Sequence, residues 1–268
     1  RLRQVVTAVS DGAVAATSIE RYAADMQRKT GLRPQRPATA PASSGASKAS
    51  APSGNARETE GGFLTAEQRE QLAGVFARME CPLILKAEPD SRPVSEDLRR
   101  MLMELAALTD KLTVEWTPPS DGPERPCVRV LRADGTDTGI AFHGVPGGHE
   151  FNSFVVGLYN AAGPGQSIDP ALAEAIAAID RPLDLQIVVA LSCTMCPELV
   201  IAAQKIAASN PLVTAKVYDV NHFPELRERY KIMSVPCLII NKAKVAFGKK
   251  TLGQLLELLA EPEAGQTG

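Results

Sequence analysis

The sequence lacks a long hydrophobic run, and no apolar stretch approaches the roughly 18 residues that a membrane-spanning helix needs. It also lacks an excess of charge of one sign, with a formal net charge of −2, and aromatic residues make up only 4%. We therefore expect neither nucleic acid nor a membrane surface as a partner. The opening letters "RLRQVV" contain no hydrophobic core of a secretory signal.

An initiator methionine is also lacking, because the chain opens on Arg1. We therefore expect the sequence to be a piece of a longer protein. Its 268 residues suffice for two or more small domains. The hydrophobic content of 44% and the charged content of 22% are typical of globular proteins.

One internal segment has no sizeable apolar side chain. Residues 33–62 contain no Val, Ile, Leu, Met, Phe, Trp or Tyr, so they cannot bury enough apolar surface to offset the entropy of ordering. We predict a flexible, disordered linker over residues 32–62, with a reach of roughly 30 Å. The preceding residues 1–31 are predicted to hold an isolated helix from Asp11 to about Lys29.

From Phe63 onward the same pattern of elements occurs twice. Each copy reads as a leading helix, a strand, a helix, a second strand, a β-hairpin and a closing helix. After the leading helix, this βαβ unit with a hairpin and helix is typical of thioredoxin. We predict an α/β protein with two tandem thioredoxin-like folds, over residues 63–165 and 166–262, and a tail over 263–268. The predicted helix caps are Thr65, Ser95 and Asp169, the last followed by Pro170.

Two sequence echoes support the duplication. "CPLILK" in the first copy corresponds to "RPLDLQ" in the second, and "RPCVRV" corresponds to "VPCLII". The copies differ where the first has "AEPDSRPVSE" and the second has "ALSCTMCPEL". Only the second copy therefore carries a dithiol, at Cys193 and Cys196.

The five cysteines are odd in number and scattered, which fits a reducing compartment such as the cytoplasm. The chain lacks a second Cys-x-x-Cys pair, and its three histidines form no ligand pattern with the first. Zinc binding is therefore the weaker alternative, as is a pair of inert buried thiols. We expect Cys193 and Cys196 to be a redox-active dithiol and predict no metal site. The remaining thiols are expected to be buried, although one of them could lie near Cys193: Cys81, Cys127 and Cys237, the last being the possible neighbour.

The spacing of the dithiol explains its chemistry. A helix N-terminus favours the thiolate of Cys193, and Cys196 lies one turn further on, where it can close the internal disulfide. The intervening pair Thr194-Met195 has no basic group, so we expect a moderately reducing couple. Pro236 lies between a predicted helix and the hairpin, where a cis proline would face the dithiol.

Residues 63–262 resemble the N-terminal domain of the flavoprotein component of alkyl hydroperoxide reductase. The resemblance rests on "FHGVPGGHEFNSFVVGL", "LSCTMCPE" and "SVPCLIIN". In that family two thioredoxin-like folds are fused and only the second keeps its dithiol. The resemblance implies that Glu150, in "GGHEF", handles protons or tunes the thiols. The chain departs from the family in Thr194-Met195, where His-Asn is common, and at Cys237, where a smaller residue is usual.

The opening stretch "RLRQVVTAVSDGAVAATSIERYAADM" resembles the C-terminal end of a low-molecular-weight thioredoxin reductase. This resemblance implies that Arg3, Gln4 and Val5 contact a flavin in a homodimeric parent protein. It implies FAD and NADPH or NADH as cofactors of that parent. The chain itself has no Gly-x-Gly-x-x-Gly motif, so we expect it to bind no cofactor alone.

Together the two resemblances imply a thiol-disulfide relay module. It would carry electrons from an upstream flavoprotein reductase domain to the disulfide of a peroxiredoxin. Two alternatives remain open at this point. One is a general protein-disulfide reductase or isomerase of glutaredoxin type, and the other is a non-catalytic docking module.

Overall fold

The structure is a computed structural model that describes residues 63–261. The predictions for the opening helix, the linker and Arg3, Gln4 and Val5 lie outside the described residues. Within this range the helices are α1 (Ala66–Phe76), α2 (Val94–Ala106), α3 (Glu150–Ala162), α4 (Pro170–Ala177), α5 (Cys196–Ser209), α6 (Pro224–Arg229) and α7 (Leu252–Ala260). The strands are β1 (Leu83–Glu88), β2 (Leu112–Trp116), β3 (Cys127–Arg132), β4 (Asp137–His143), β5 (Leu183–Val189), β6 (Val213–Asp219), β7 (Cys237–Ile240) and β8 (Lys244–Phe247).

The eight strands form one mixed sheet in the order β2-β1-β3-β4-β6-β5-β7-β8. In each half a parallel pair joined through a helix is followed by an antiparallel hairpin, β1-β2 with β3-β4 and β5-β6 with β7-β8. This order confirms two tandem thioredoxin-like folds. The junction is a parallel pairing of β4 with β6, in which His143 lies opposite Tyr218.

Helix capping follows the predictions at two of three sites. The Thr65 side chain accepts from the backbone N–H of Gln68 in a capping box, and the Asp169 side chain accepts from Ala171. The prediction that Ser95 caps its helix is wrong, since α2 begins at Val94 and Ser95 lies inside it. The Ser95 hydroxyl instead donates to Asp90 at 2.7 Å, because a buried carboxylate nearby competes for it.

The junction places the starts of two helices side by side. Because β4, β5 and β6 are parallel, their carboxyl ends share one edge of the sheet, and α3 and α5 both begin there. The two helices pack closely at Gly157, where a Cβ would lie 2.5 Å from the Oε1 atom of Gln204. A larger residue at position 157 would require the Gln204 side chain to move.

Two apolar clusters lie on opposite faces of the sheet. The larger contains α3 and α5 with Cys196, whereas the smaller contains Val188, Tyr218 and Cys237. Alternation along β7 accounts for the separation, since Leu238 belongs to the larger cluster and Cys237 to the smaller. In the part of the chain described, no helix is long and apolar enough to cross a bilayer.

Candidate functional site

Cys193 and Cys196 form a disulfide, with their Cα atoms 5.6 Å apart. Helix α5 begins at Cys196, so Cys193 lies in the preceding turn rather than inside the helix. Pro197 occupies the first turn, where its missing N–H has no helical partner to lose. Cys196 is fully buried and Cys193 is partly exposed. An incoming thiol or disulfide can therefore reach Cys193 but not Cys196.

The loop before β7 lies against the dithiol. The peptide bond between Val235 and Pro236 is cis, and the Sγ atom of Cys193 lies 4.0 Å from the carbonyl oxygen of Val235. The Pro236 carbonyl accepts from the N–H of Gly248 on the hairpin and is thereby held in place. The structure thus brings Cys193 and the residue that precedes Pro236 together.

Glu150 is the first residue of α3 and is fully buried. On α3, Glu150 lies seven residues before Gly157. On α5, Pro197 lies seven residues before Gln204, and Gly157 and Gln204 are in contact. Seven residues of helix span about 10 Å, so Glu150 lies level with the first turn of α5. The fold therefore places this carboxyl group from the first half beside the helix that carries Cys196.

A backbone contact fixes the loop that leads to Glu150. The N–H of His149 donates to the carbonyl of Leu191 at 2.9 Å, two residues before Cys193. Gly148 has φ of +54°, and a Cβ there would lie 2.4 Å from the Leu191 carbonyl oxygen. The "PGGHEF" segment thus needs glycine to approach the dithiol loop.

Burial raises the pKa of Glu150 from its ordinary 4.5 to about 7, although a hydrogen bond from Ser153 acts in the opposite direction. The Ser153 hydroxyl donates to one carboxylate oxygen, Oε2. The other oxygen, Oε1, is buried with no hydrogen-bond partner in the described part of the chain. Glu150 can therefore gain or lose a proton near neutral pH.

The corresponding site in the first half has been filled by an arginine. Arg92 donates through Nη2 to the carbonyl of Arg125, which precedes the cis Pro126 as Val235 precedes Pro236. Its guanidinium also pairs with Asp90 at 2.6 Å and donates to the carbonyl of His222 at 2.8 Å. Sequence reasoning missed this role, and the signal available was an Arg within the segment that replaces the dithiol.

The three remaining thiols differ in exposure. Cys127 and Cys237 are buried as expected, and burial raises the pKa of Cys127 to about 12 and that of Cys237 to about 11. The prediction that Cys81 is buried is wrong, since it is exposed in the turn between α1 and β1. The side chains that this segment buries before β1 are Phe76 and Met79. Cys237 belongs to the cluster on the face of the sheet opposite Cys196.

Metal-ligating side chains are dispersed over the fold. Among residues 63–261, no group of three or more His, Cys, Asp or Glu side chains is arranged to hold a metal ion. His143 is buried, and burial lowers its pKa to about 4, so it stacks on Tyr218 as a neutral ring at neutral pH. The chemistry that the described residues offer is that of the dithiol and Glu150.

Comparisons with known proteins agree with this geometry. The thioredoxin domain family matches residues 183–260, the half that carries the dithiol. The alkyl hydroperoxide reductase protein AhpF of Pseudomonas aeruginosa is 31% identical over 203 residues, which are 76% of this chain and 38% of that protein. The chain therefore spans about 38% of the length of the curated relatives it matches.

Two solved structures from Enterococcus faecalis match this chain over their full length. The NTD_N/C domain of alkyl hydroperoxide reductase AhpF is 36% identical, with a TM-score of 0.70 over 74% of this chain. A variant of the same protein is 38% identical, also with a TM-score of 0.70 over 74% of this chain. The chain therefore belongs to the AhpF family of alkyl hydroperoxide reductases, which consists of oxidoreductases, and its described residues correspond to the thioredoxin-like N-terminal domain.

Proposed function

We propose that this chain is a thiol-disulfide relay module that passes two electrons from a flavoprotein reductase domain to the disulfide of a peroxiredoxin. One observation carries the proposal: Cys193 is the accessible member of a disulfide whose other member is buried at a helix start. An accessible attacking sulfur and a buried resolving sulfur are what disulfide exchange requires. The AhpF relatives support hydroperoxide removal as the pathway.

Exchange proceeds in two balanced steps. The thiolate of Cys193 attacks one sulfur of the acceptor disulfide, which forms a mixed disulfide and releases the other acceptor sulfur as a thiolate. The thiolate of Cys196 then attacks Cys193, which re-forms the internal disulfide and releases the second acceptor thiolate. The module is oxidised by two electrons and the acceptor is reduced by two. Reduction of the module by its donor follows the same steps in reverse.

Glu150 is assigned the proton handling in this cycle. The buried Cys196 must lose its proton before it can attack, and water reaches it poorly. A carboxyl group whose pKa is raised to about 7 by burial can accept that proton near neutral pH and return it in the reverse reaction. Pro236 is assigned the positioning of the loop that contacts Cys193.

The parent protein is proposed as a homodimeric flavoprotein in which this module follows the reductase domain along the chain. Residues 1–31 would complete the reductase domain, 32–62 would be the linker, and 63–165 and 166–262 the two folds. FAD in that domain would supply the two-electron carrier between NADPH or NADH and the module. Arg3, Gln4 and Val5, assigned to flavin contact, lie outside the described residues, so no step here depends on them. The free thiols support a cytoplasmic location.

Competing acceptors test the proposal. The NADPH- or NADH-driven rate of the full-length parent is measured with a co-encoded peroxiredoxin disulfide, with insulin and with a glutathione mixed disulfide. The proposal predicts a clear preference for the peroxiredoxin, and Cys193→Ser should abolish transfer. Equal rates with all three would favour the general protein-disulfide reductase. Full activity of Cys193→Ser would favour a docking module without redox chemistry.

A further inference from the structure

Two exposed methionines flank the disulfide. Met195 lies between the two cysteines and is 47% exposed, and Met233, two residues before Val235, is 88% exposed. One residue spans at most about 3.6 Å, so the Cα atom of each methionine lies within about 7 Å of the Cα atom of Cys193 or Val235. The backbone of both methionines therefore lies close to the place where the Cys193 sulfur contacts the Val235 carbonyl. Large apolar side chains this exposed mark contact surfaces when they are grouped.

A cleft of about 570 Å³ continues from Met233 along α6. It is lined by Pro224, Arg227, Glu228, Lys231, Ile232 and Met233. The side chains of Arg227 and Lys231 are exposed and form no ion pair within residues 63–261. Two cationic groups and one carboxylate give the cleft a positive balance.

We propose that Met195, Met233 and this cleft form a docking surface for a protein segment whose disulfide cysteine is flanked by an apolar and an acidic side chain. The inference rests on the proposed relay function and specifies which acceptors it serves. The flexible thioether side chains fit an apolar neighbour of the cysteine. Arg227 and Lys231 attract the acidic neighbour and orient the segment as it approaches Cys193.

The charge expected of the bound segment is set by the residues that line the cleft, not by the residues beside the dithiol. Glu198, next to the dithiol, is paired with Lys249 at 3.2 Å and leaves no net charge there. Glu228 alone opposes the two cations of the cleft. A basic segment would therefore meet repulsion from Arg227 and Lys231, while an uncharged one would gain only the methionine contacts.

Three disulfide-bridged peptides of equal length test the proposal on the pre-reduced 268-residue chain. Their cysteine is flanked by Leu and Asp, by Leu and Lys, or by Ser and Asp. Exchange is followed by quenched flow and mass spectrometry at low salt. We expect the first peptide to react at least about fivefold faster than the other two. Equal rates for the first two peptides would overturn the proposal.

Substitutions in the chain test which residues produce the faster reaction of the Leu-Asp peptide. Met233→Gln should lower the rate of the Leu-Asp peptide to that of the Ser-Asp peptide. R227E combined with K231E should reverse the order of the Leu-Asp and Leu-Lys peptides. Two controls should leave the ratios unchanged: Met103→Gln, a 54% exposed methionine on α2 of the first half, and Arg229→Glu, an exposed arginine of α6 outside the cleft. Unchanged ratios in the double variant would contradict the assignment.

A binding measurement separates this proposal from the relay function. Peptides with serine in place of both cysteines are titrated into the oxidised chain and followed by NMR. Tighter binding of the Leu-Asp peptide supports docking even if no peptide is reduced, a result that would count against the relay alone. Equal dissociation constants for all three peptides would overturn docking, whatever the exchange rates.

Discussion

The sulfur of Cys193 and the backbone carbonyl oxygen of Val235 lie 4.0 Å apart. This contact joins the turn before α5 to the loop that ends in the cis Pro236. In the first half the guanidinium of Arg92 makes the equivalent contact with the carbonyl of Arg125. One copy of a duplicated fold thus keeps a reactive sulfur at this position, and the other fills it with a side chain that also reaches the second half.

Arg92→Ala should destabilise the chain by about 1 to 2 kcal/mol, because it removes the cationic partner of Asp90 and leaves two backbone carbonyls without their donor. Arg100→Ala is the matched control, since its ion pair with Asp97 is exposed and contributes little. Denaturant unfolding of the oxidised chain measures both. Equal effects of the two substitutions would show that Arg92 does not hold the first half in place.

Gly148→Ala should be more destabilising than Gly135→Ala. Both glycines have positive φ, +54° and +84°, so both substitutions carry a similar backbone cost. A Cβ at position 148 meets the Leu191 carbonyl at 2.4 Å, whereas at position 135 nothing lies within 4 Å. We expect Gly148→Ala to lower the free energy of unfolding by about 1 to 3 kcal/mol more than Gly135→Ala does. We also expect Gly148→Ala alone to slow disulfide exchange. Identical unfolding midpoints would contradict the close approach of this loop to the dithiol.

Glu150 should make stability fall as the pH rises. Its pKa is about 7 in the folded chain and near 4.5 when unfolded, so the folded state binds the extra proton between these values. The contribution of Glu150 to the free energy of unfolding is complete below pH 4.5 and is lost as the pH rises through 7. Relative to Glu150→Gln, the free energy of unfolding of the wild-type chain should fall by on the order of 3 kcal/mol between pH 4.5 and 8.

The comparison with Glu150→Gln removes the effect of His143. Burial lowers the pKa of His143 to about 4, so its contribution is lost as the pH falls below about 6.5. That slope is present in both proteins and cancels in the difference. Parallel stability curves for the wild type and Glu150→Gln would show that Glu150 titrates as an ordinary surface acid.

Only one thiol of the oxidised chain should react quickly with iodoacetamide at pH 7.5. Cys81 is exposed, while Cys127 and Cys237 are buried and have raised pKa values. Mass spectrometry of the labelled peptides should find Cys81 alone modified until denaturant is added. Rapid modification of Cys237 would mean that it is available for exchange beside the dithiol.

The element pattern was predictable because its signals are local. Thr65 and Asp169 cap helices through their own side chains, and the hydrophobic periods define the strands. The prediction that Ser95 caps α2 was wrong because Asp90, five residues earlier, binds the same hydroxyl. The prediction that Cys81 is buried was wrong because the exposure of a turn residue depends on which of its neighbours fill the core.

Long-range pairings could not be read from such signals. Periodicity identifies β4 and β6 as strands but does not say that they pair, and this pairing brings Glu150 level with α5. The proximity of Glu150 to the dithiol was expected from the family resemblance alone. The role of Arg92 depends on carbonyl groups 33 and 130 residues away in sequence, at Arg125 and His222.

The order of attack, Cys193 first and Cys196 second, is the central claim and can be measured by trapping. Reduced Cys196→Ser chain is mixed with an oxidised peroxiredoxin, and the products are separated without reductant and digested for mass spectrometry. Our account predicts a stable covalent adduct joined through Cys193, and none with Cys193→Ser. An adduct joined through Cys81 or Cys237, or an adduct that persists in Cys193→Ser, would contradict it.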